Sequence, residues 1–484
     1  MILPPKKWSN AFRCVEGGDP DAVAVIKDAP LPAVVDHAHN SGTHPLSAAI
    51  TARTEGLPYG TPSGRGESVD EIFLMNVSFT PHCCRSCWTD EPACAGTSLR
   101  MGRRGMDGRS MAPPPDPGID SMDWPSPVPA TADDETGTSW MVQRAWPDKT
   151  PGEFVLEVLT PGRSGVRGAH LRQGQFELLP LDDPGLPALR EEAQKGELIS
   201  YWPSRQAVVR ADGCYIKIFS PGGAVVPAER CAQMDVLLDG NFTTPRMLRQ
   251  SSRADVIVFS AIAGPTLNEL GREQGAACDE AFARAWEKWS RAWVAELNGS
   301  RGHAAQSVLD SLPLRPPQWE VTKMWRRVDD WLRHNENVPE LSSQRDTLRA
   351  AAERVATDLL RTAPDPMVWA HGDLYDRQII VPDGDIPPGL LDFDSTARHE
   401  AARDLAGLDV RLELHLRNNR MTRARYLTAH TQVLAVAEQL HVSPVRFDAY
   451  SDAIWLRVAL SPLPGRFSLA IAVLAERAAQ ELRQ

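Results

Sequence analysis

The chain of 484 residues has no apolar run near the roughly 18 to 20 residues that cross a bilayer. Lys6 and Lys7 stand near its start, but no apolar core follows them, so no secretory signal is expected. A cytoplasmic location without a membrane partner is the expectation. A basic excess is also missing. Lys and Arg number 52 against 63 Asp and Glu, a net charge of -11. A general nucleic-acid binder presents a basic face, so no nucleic-acid partner is expected, and the acidity would suit a cationic substrate. No internal repeat is present, and oligomeric state is not readable. Cysteine is sparse after residue 100, where Cys214, Cys231 and Cys278 read as ordinary buried thiols. Five cysteines come earlier. His82-Cys83-Cys84-Arg85-Ser86-Cys87, with Cys94, has one Cys-x-x-Cys spacing. No second pair follows at a usual distance, so the cluster reads as incidental rather than as a metal site.

What is present divides at about residue 140. Residues 1–140 hold 17 of the 40 prolines, including Pro113-Pro114-Pro115, and few periodic apolar segments. Such a stretch buries too little apolar surface to offset the entropy of ordering it. It is expected to be of low order and dispensable. Two readings of it stand open: a translated low-order region, or a chain whose true start lies near Met141.

Beyond it, residues 141–262 read as a small β-rich lobe and 263–484 as a larger helical lobe. Residues 153–159 and 174–179 alternate as strands. Ala207–Arg210 and Tyr215–Phe219 flank Asp212-Gly213, a strong hairpin signal. Pro227 opens a helix, and Val256–Phe259 is another strand. Trp286, Trp289 and Trp293 fall at helical spacing and read as core packing rather than as a ligand platform.

The chemistry concentrates in His371-Gly372-Asp373-Leu374-Tyr375-Asp376-Arg377-Gln378 and the later Leu390-Leu391-Asp392-Phe393-Asp394. Gln378–Val381 and Gly389–Leu391 read as short strands about the turn 382–388. Symmetric pairing would set Ile379 opposite Leu391 and Gln378 opposite Asp392, with Cα atoms roughly 5 Å apart. An amide oxygen and a carboxylate would then converge, which suits Mg²⁺ with nucleotide phosphates. Asp373, on the preceding loop, could orient a substrate hydroxyl for in-line attack on a γ-phosphate. Alone, a His-x-Asp or an Asp-Phe-Asp means little; their conjunction around a hairpin is far more specific.

These residues resemble the aminoglycoside phosphotransferase and choline kinase superfamily, which shares the protein-kinase-like fold. Its loop reads His-Gly-Asp-Leu-x-x-x-Asn, followed by Ile/Leu-Asp-Phe/Trp-Asp. The resemblance implies a two-lobed α+β fold, ATP (or GTP) and Mg²⁺ as cofactors, Asp373 as the catalytic aspartate and Asp392 as a metal ligand. Gln378 replaces the family's Asn, keeping the amide and adding a methylene. His371, Asp394 and Asp404 take structural roles at the site. In the nucleotide lobe Lys217 would reach the α and β phosphates, with Glu229 on the next helix as its partner. Phe259 and Ala261 lie where the resemblance puts the inter-lobe hinge that reads adenine. No G-x-G-x-x-G precedes Lys217, only the turn Ser204-Arg205-Gln206, and no Ala-Pro-Glu follows Asp392. Both absences favour a small-molecule kinase over a protein kinase. The expected activity is transfer of a γ-phosphate to a hydroxyl of a small molecule; the alternative is an inactive nucleotide-binding scaffold.

Overall fold

The computed structural model describes residues 126–481, apart from residues 161, 163, 239, 274 and 339–340. Most of the proline-rich segment, with Cys83, Cys84, Cys87 and Cys94, lies outside the described residues.

Two antiparallel sheets come first. Strands β1 (Thr131–Asp133), β2 (Ser139–Pro147), β3 (Phe154–Leu159), β4 (Arg167–Arg172) and β5 (Gln175–Leu178) form a five-stranded meander. Strands β6 (Glu197–Trp202), β7 (Gln206–Ala211), β8 (Cys214–Phe219), β9 (Met247–Gln250) and β10 (Val256–Ser260) form a second sheet in the order β6-β7-β8-β10-β9. The strands expected at 153–159 and 174–179 are present as β3 and β5, in a sheet of their own. Strand β3 is buried on both faces because each face has a different neighbour. Phe154, Leu156 and Val158 pack with Val128, Trp140, Ala169 and Leu171. On the opposite face, Glu157 meets the second sheet. Arg144 Nε donates to Glu157 Oε1 (2.8 Å), the Tyr201 amide donates to Glu157 Oε2 (2.7 Å), and Arg144 also donates to Ser200 Oγ (2.6 Å). A buried ion pair gains little net stability, but its strict geometry fixes how the sheets dock.

The boundary expected at residue 140 falls inside β2. Val128 and Trp140 belong to the core of the first sheet, and β1 precedes Met141. The Asp212-Gly213 hairpin is as expected, with Val209 opposite Ile216 and Gly213 at φ 66°. Short helix α1 (Leu189–Glu192) joins the sheets, and α2 (Val225–Leu237) follows β8. Helix α2 starts two residues before Pro227, which sits in the first turn, where an amide N–H has no helical partner to lose.

The second lobe is helical: α3 (Leu267–Arg272), α4 (Ala276–Asn298), α5 (His303–Ser311), α6 (Pro317–His334), α7 (Ser342–Arg361), α8 (Ala401–Arg417), α9 (Arg423–Gln439), α10 (Pro444–Ala459) and α11 (Arg466–Glu481). Trp286, Trp289 and Trp293 on α4 are core residues, their rings running on to Trp369 at 5.3 Å from Trp293. Between α7 and α8 lie the pairs β11 (Met367–Ala370) with β14 (Ala397–Glu400) and β12 (Ile379–Ile380) with β13 (Gly389–Leu390). The arrangement is the expected one, a kinase-like fold with a β-rich lobe followed by a larger helical lobe. Among the described residues, no helix is long and apolar enough to cross a membrane.

Candidate active site

The loop from His371 to Gln378 is tied down from α8. The Asp404 carboxylate accepts the backbone N–H groups of His371 (2.6 Å) and Gly372 (2.9 Å), and Arg403 donates to the Gly372 carbonyl (3.2 Å). Gly372 lies at φ 80°, and a Cβ there would meet the Ser395 carbonyl oxygen at 2.1 Å, so only glycine fits. The His371 ring is fully buried and its Nε2 donates to the Leu391 carbonyl at 2.8 Å. Burial keeps this imidazole below its ordinary pKa, hence neutral. Asp376, also buried, accepts from Asn268 Nδ2 (2.7 Å) and lies 3.1 Å from His415 Nε2, joining the loop to α3 and α8.

The hairpin differs from expectation by one residue. Ile379 stands opposite Leu390, and the Leu391 amide donates to the Gln378 carbonyl at 3.0 Å. Gln378 therefore faces Leu391 and not Asp392. The register is held from outside the hairpin. Thr243 accepts from the Leu390 amide (3.0 Å) and donates its own amide to the Pro388 carbonyl (2.8 Å). Lys288 also holds the turn, donating to the Pro382 (2.7 Å) and Gly384 (2.9 Å) carbonyls. Asp392 then adopts a left-handed conformation (φ 67°, ψ 67°), which swings the chain at the strand end.

A cleft of roughly 1000 Å³ runs between the lobes, lined among others by Lys217, Phe259, Ile262, Gln378, Asp392 and Asp394. Lys217 on β8 donates to Asp392 Oδ1 (2.6 Å) and Asp394 Oδ2 (3.2 Å). Burial works against the ammonium, but Asp392 and then Asp394 outweigh it and hold the Lys217 pKa above its ordinary value. Asp392 is held low in turn: burial opposes its charge, and Lys217 overcomes that penalty. Glu229 does not pair with Lys217. Helix α2 buries Ala228, Cys231 and Met234, and Glu229 falls on its exposed side. The buried face of α2 offers no carboxylate, so the Asp-Phe-Asp segment takes the lysine.

Phe259 lines the cleft, whereas Ala261 is exposed and spends its amide on the Gly213 carbonyl (3.0 Å). The next residue, Ile262, does face the cleft. Gln378 is 4% exposed, and both its Oε1 and its Nε2 lack a hydrogen-bond partner. An orphaned buried amide is costly, and an oxygen donor beside Asp392 is chemistry that suits Mg²⁺. Among the described residues no cluster of three His, Cys, Asp or Glu forms a metal site on its own.

Asp373 is partly buried. Burial raises its pKa to about 7, with Arg457 offsetting this in part and Asp392 adding to it. A second cavity, of about 1260 Å³, opens beyond Tyr375 and includes Gly407, Arg411 and Arg457 in its walls. Arg411 Cζ sits 5.2 Å from the Tyr375 ring centroid, so this stack stands between the two cavities. Sequence reasoning gave no role to Tyr375 and Asp376, which belong to the loop, or to Arg411 and Arg457, which line the second cavity. A signal existed only for Arg411, seven residues after Asp404 and thus on the same helical face.

The model of the phosphotransferase enzyme family matches residues 303–414. No curated protein matches the chain. Among solved structures, a glucosamine kinase bound to glucosamine, ADP and inorganic phosphate is 14% identical, covering 71% of this chain and 96% of its own, with a TM-score of 0.41. An aminoglycoside phosphotransferase from Streptomyces rimosus is 18% identical (55% and 95% covered, TM-score 0.36). An ethanolamine kinase from Plasmodium vivax is 13% identical (58% and 81%, TM-score 0.37). The matched family segment runs from α5 into α8 and contains His371, Asp373, Gln378, Asp392 and Asp404, so the resemblance to the phosphotransferase enzyme family is borne out over the stretch that carries it.

Proposed function

We propose that the protein is an ATP-dependent phosphotransferase acting on a hydroxyl of a small molecule. The observation that carries this reading is Lys217, which reaches from the nucleotide-side sheet to Asp392 and Asp394, in the same cleft as the unpartnered amide of Gln378. Lys217 would turn to the nucleotide's α and β phosphates once they enter. Gln378 and Asp392 would hold Mg²⁺, whose charge offsets that of the transferring group. Phe259 and Ile262 would border the base. GTP would fit the same description.

Asp373 would accept the acceptor's hydroxyl proton. Transfer forms a bond from that oxygen to the γ-phosphorus, breaks the bond to the bridging oxygen, and releases ADP. Asp373 must be ionised for this role. Asp404 and His371 do not touch reactants; they keep the loop in shape. The work of the site is positioning and charge neutralisation, with no covalent intermediate.

Calorimetric titration of the full chain with ATP and Mg²⁺ tests the reading, together with ATP consumption over a panel of hydroxyl compounds. Nucleotide binding that needs Mg²⁺ and is lost in Lys217→Met and Asp392→Ala is expected, with turnover on some member of the panel. Binding that ignores Mg²⁺, with no turnover, would instead establish a nucleotide-binding scaffold. That second reading has one structural support, the closed Lys217–Asp392 pair, which must open before a nucleotide can be held.

A further inference from the structure

The second cavity carries more positive charge than its surroundings neutralise. Arg411 is 8% exposed, and its contact is the face of Tyr375. Arg457 is partly buried in the same wall. Neither guanidinium has a hydrogen bond or an ion pair among the described residues. The acids nearest the cavity are engaged elsewhere, apart from Asp373, whose charge acts on both arginines without an ion pair. Asp330 pairs with Arg333 (2.5 Å), and Asp148 lies 3.8 Å from His170 and 3.9 Å from Arg172. Glu320 lies 3.8 Å from Arg403 and 3.9 Å from His399. Arg466, which the Arg411 charge also reaches, has a buried Nη1 with no partner.

Buried charge without a counter-charge is expensive, and folded proteins pair it. Two guanidinium groups that make no ion pair and face one partly open cavity therefore leave room for an anion. Their planar forks match a carboxylate or phosphate better than any neutral group. Burial, then repulsion from Arg403 and Arg327, pushes the Arg457 pKa down to about 9, which an arriving anion would reverse. Asp373 lies within the field of both arginines, so the charge of this cavity is felt at the residue proposed to take the acceptor's proton. The net charge of -11 suggested a cationic ligand, but net charge is summed over the chain, and this cavity has the opposite sign.

We propose that this cavity binds an anionic small molecule, a hydroxyl compound whose phosphate or carboxylate is gripped by Arg411 and Arg457. The claim that it is the phosphoryl acceptor rests on the phosphotransferase reading; the claim that it binds does not.

Calorimetry on the full chain, at matched ionic strength, with inorganic phosphate, glucuronate and neutral glucose distinguishes the sources. At least one of the two anions should bind and glucose should not. Arg411→Gln and Arg457→Gln should each weaken the anion by roughly tenfold or more, the worth of one charge-assisted hydrogen bond. Arg457→Lys should retain part of the affinity. Both Gln variants should bind ADP with Mg²⁺ as the unaltered protein does. Arg457→Gln should also melt no lower, because no ion pair is lost, whereas Arg411→Gln gives up only its contact with the Tyr375 ring. The proposal is overturned if neither anion binds to protein that still binds ADP, or if binding is indifferent to both Gln variants. Arginine-dependent anion binding by a protein that binds no nucleotide would uphold the cavity's ligand and remove the phosphotransferase reading alone.

Discussion

Replacing Asp373 by Asn should stabilise the protein above neutral pH while abolishing turnover. The carboxyl's pKa rises from 3.8 to about 7 in the folded chain, chiefly through burial. A shift of about three units corresponds to roughly 4 kcal/mol against the ionised form. The residue is only partly buried, so solvent screening reduces this to about 2 kcal/mol. The sign follows from linkage. The folded state holds this proton more tightly than the unfolded state, so the penalty is absent below pH 4. It grows between pH 4 and 7, and it is complete above 7. Asn removes the charge and the penalty together. Thermal unfolding without nucleotide should therefore give the variant a melting temperature equal to that of the unaltered protein near pH 4. At pH 8 it should be higher by about 4 °C, at roughly 2 °C per kcal/mol for a large domain. A difference that does not change with pH, or a variant that melts lower at pH 8, would refute the reasoning. The same ionisation should appear in kinetics as an acid limb of kcat/KM centred near pH 7, because that ratio reports free-enzyme groups.

Other outcomes follow from the packing. A chain started at Met141 loses β1, Val128 and Trp140, and should be less stable than the full chain by about 4 kcal/mol or more. Differential scanning fluorimetry on the two chains measures the difference. Glu229→Ala should change stability by less than about 0.5 kcal/mol and leave ADP affinity unaltered, since the side chain is exposed. A calorimetric loss of ADP binding in that variant would revive the Lys217–Glu229 pairing.

The parts of the fold written in local chemistry were legible in the sequence. Asp212-Gly213 specifies its hairpin through two residues, and the spacing of Trp286, Trp289 and Trp293 marks a buried helical face wherever that helix packs. The motif from His371 to Asp394 was legible because its members are neighbours in the chain. What was hidden depends on contacts between distant segments. The partner of Lys217 turns on which face of α2 is buried, and that face is chosen by the packing of Ala228, Cys231 and Met234. The amide of Ala261 looked available until the carbonyl of Gly213 claimed it. Strands β3 and β5 alternate like any others, and nothing local says that they form a separate sheet. Arg457 lies on a helix far along the chain, with no motif to announce it.

The exchange of Asn for Gln at position 378 has a physical reading in the observed register. With Gln378 opposite Leu391, its Cα stands one residue short of the pairing that would have set it across from Asp392. The added methylene lengthens the side chain by about 1.5 Å, a single carbon–carbon bond, and gives the amide reach from that offset position. The clamp by Thr243 and Lys288 prevents the hairpin from sliding to compensate. Gln378→Asn, although it restores the residue usual in the resembling loop, should therefore weaken Mg²⁺-dependent nucleotide binding. The expected loss is roughly five- to tenfold, about 1 to 1.4 kcal/mol, the worth of one misplaced polar contact. Gln378→Ala should lose at least as much, and nucleotide binding measured without Mg²⁺ should be the same in all three proteins. Tighter Mg²⁺-dependent binding by Gln378→Asn would show that the glutamine is a defect of the site and not an adjustment to its register.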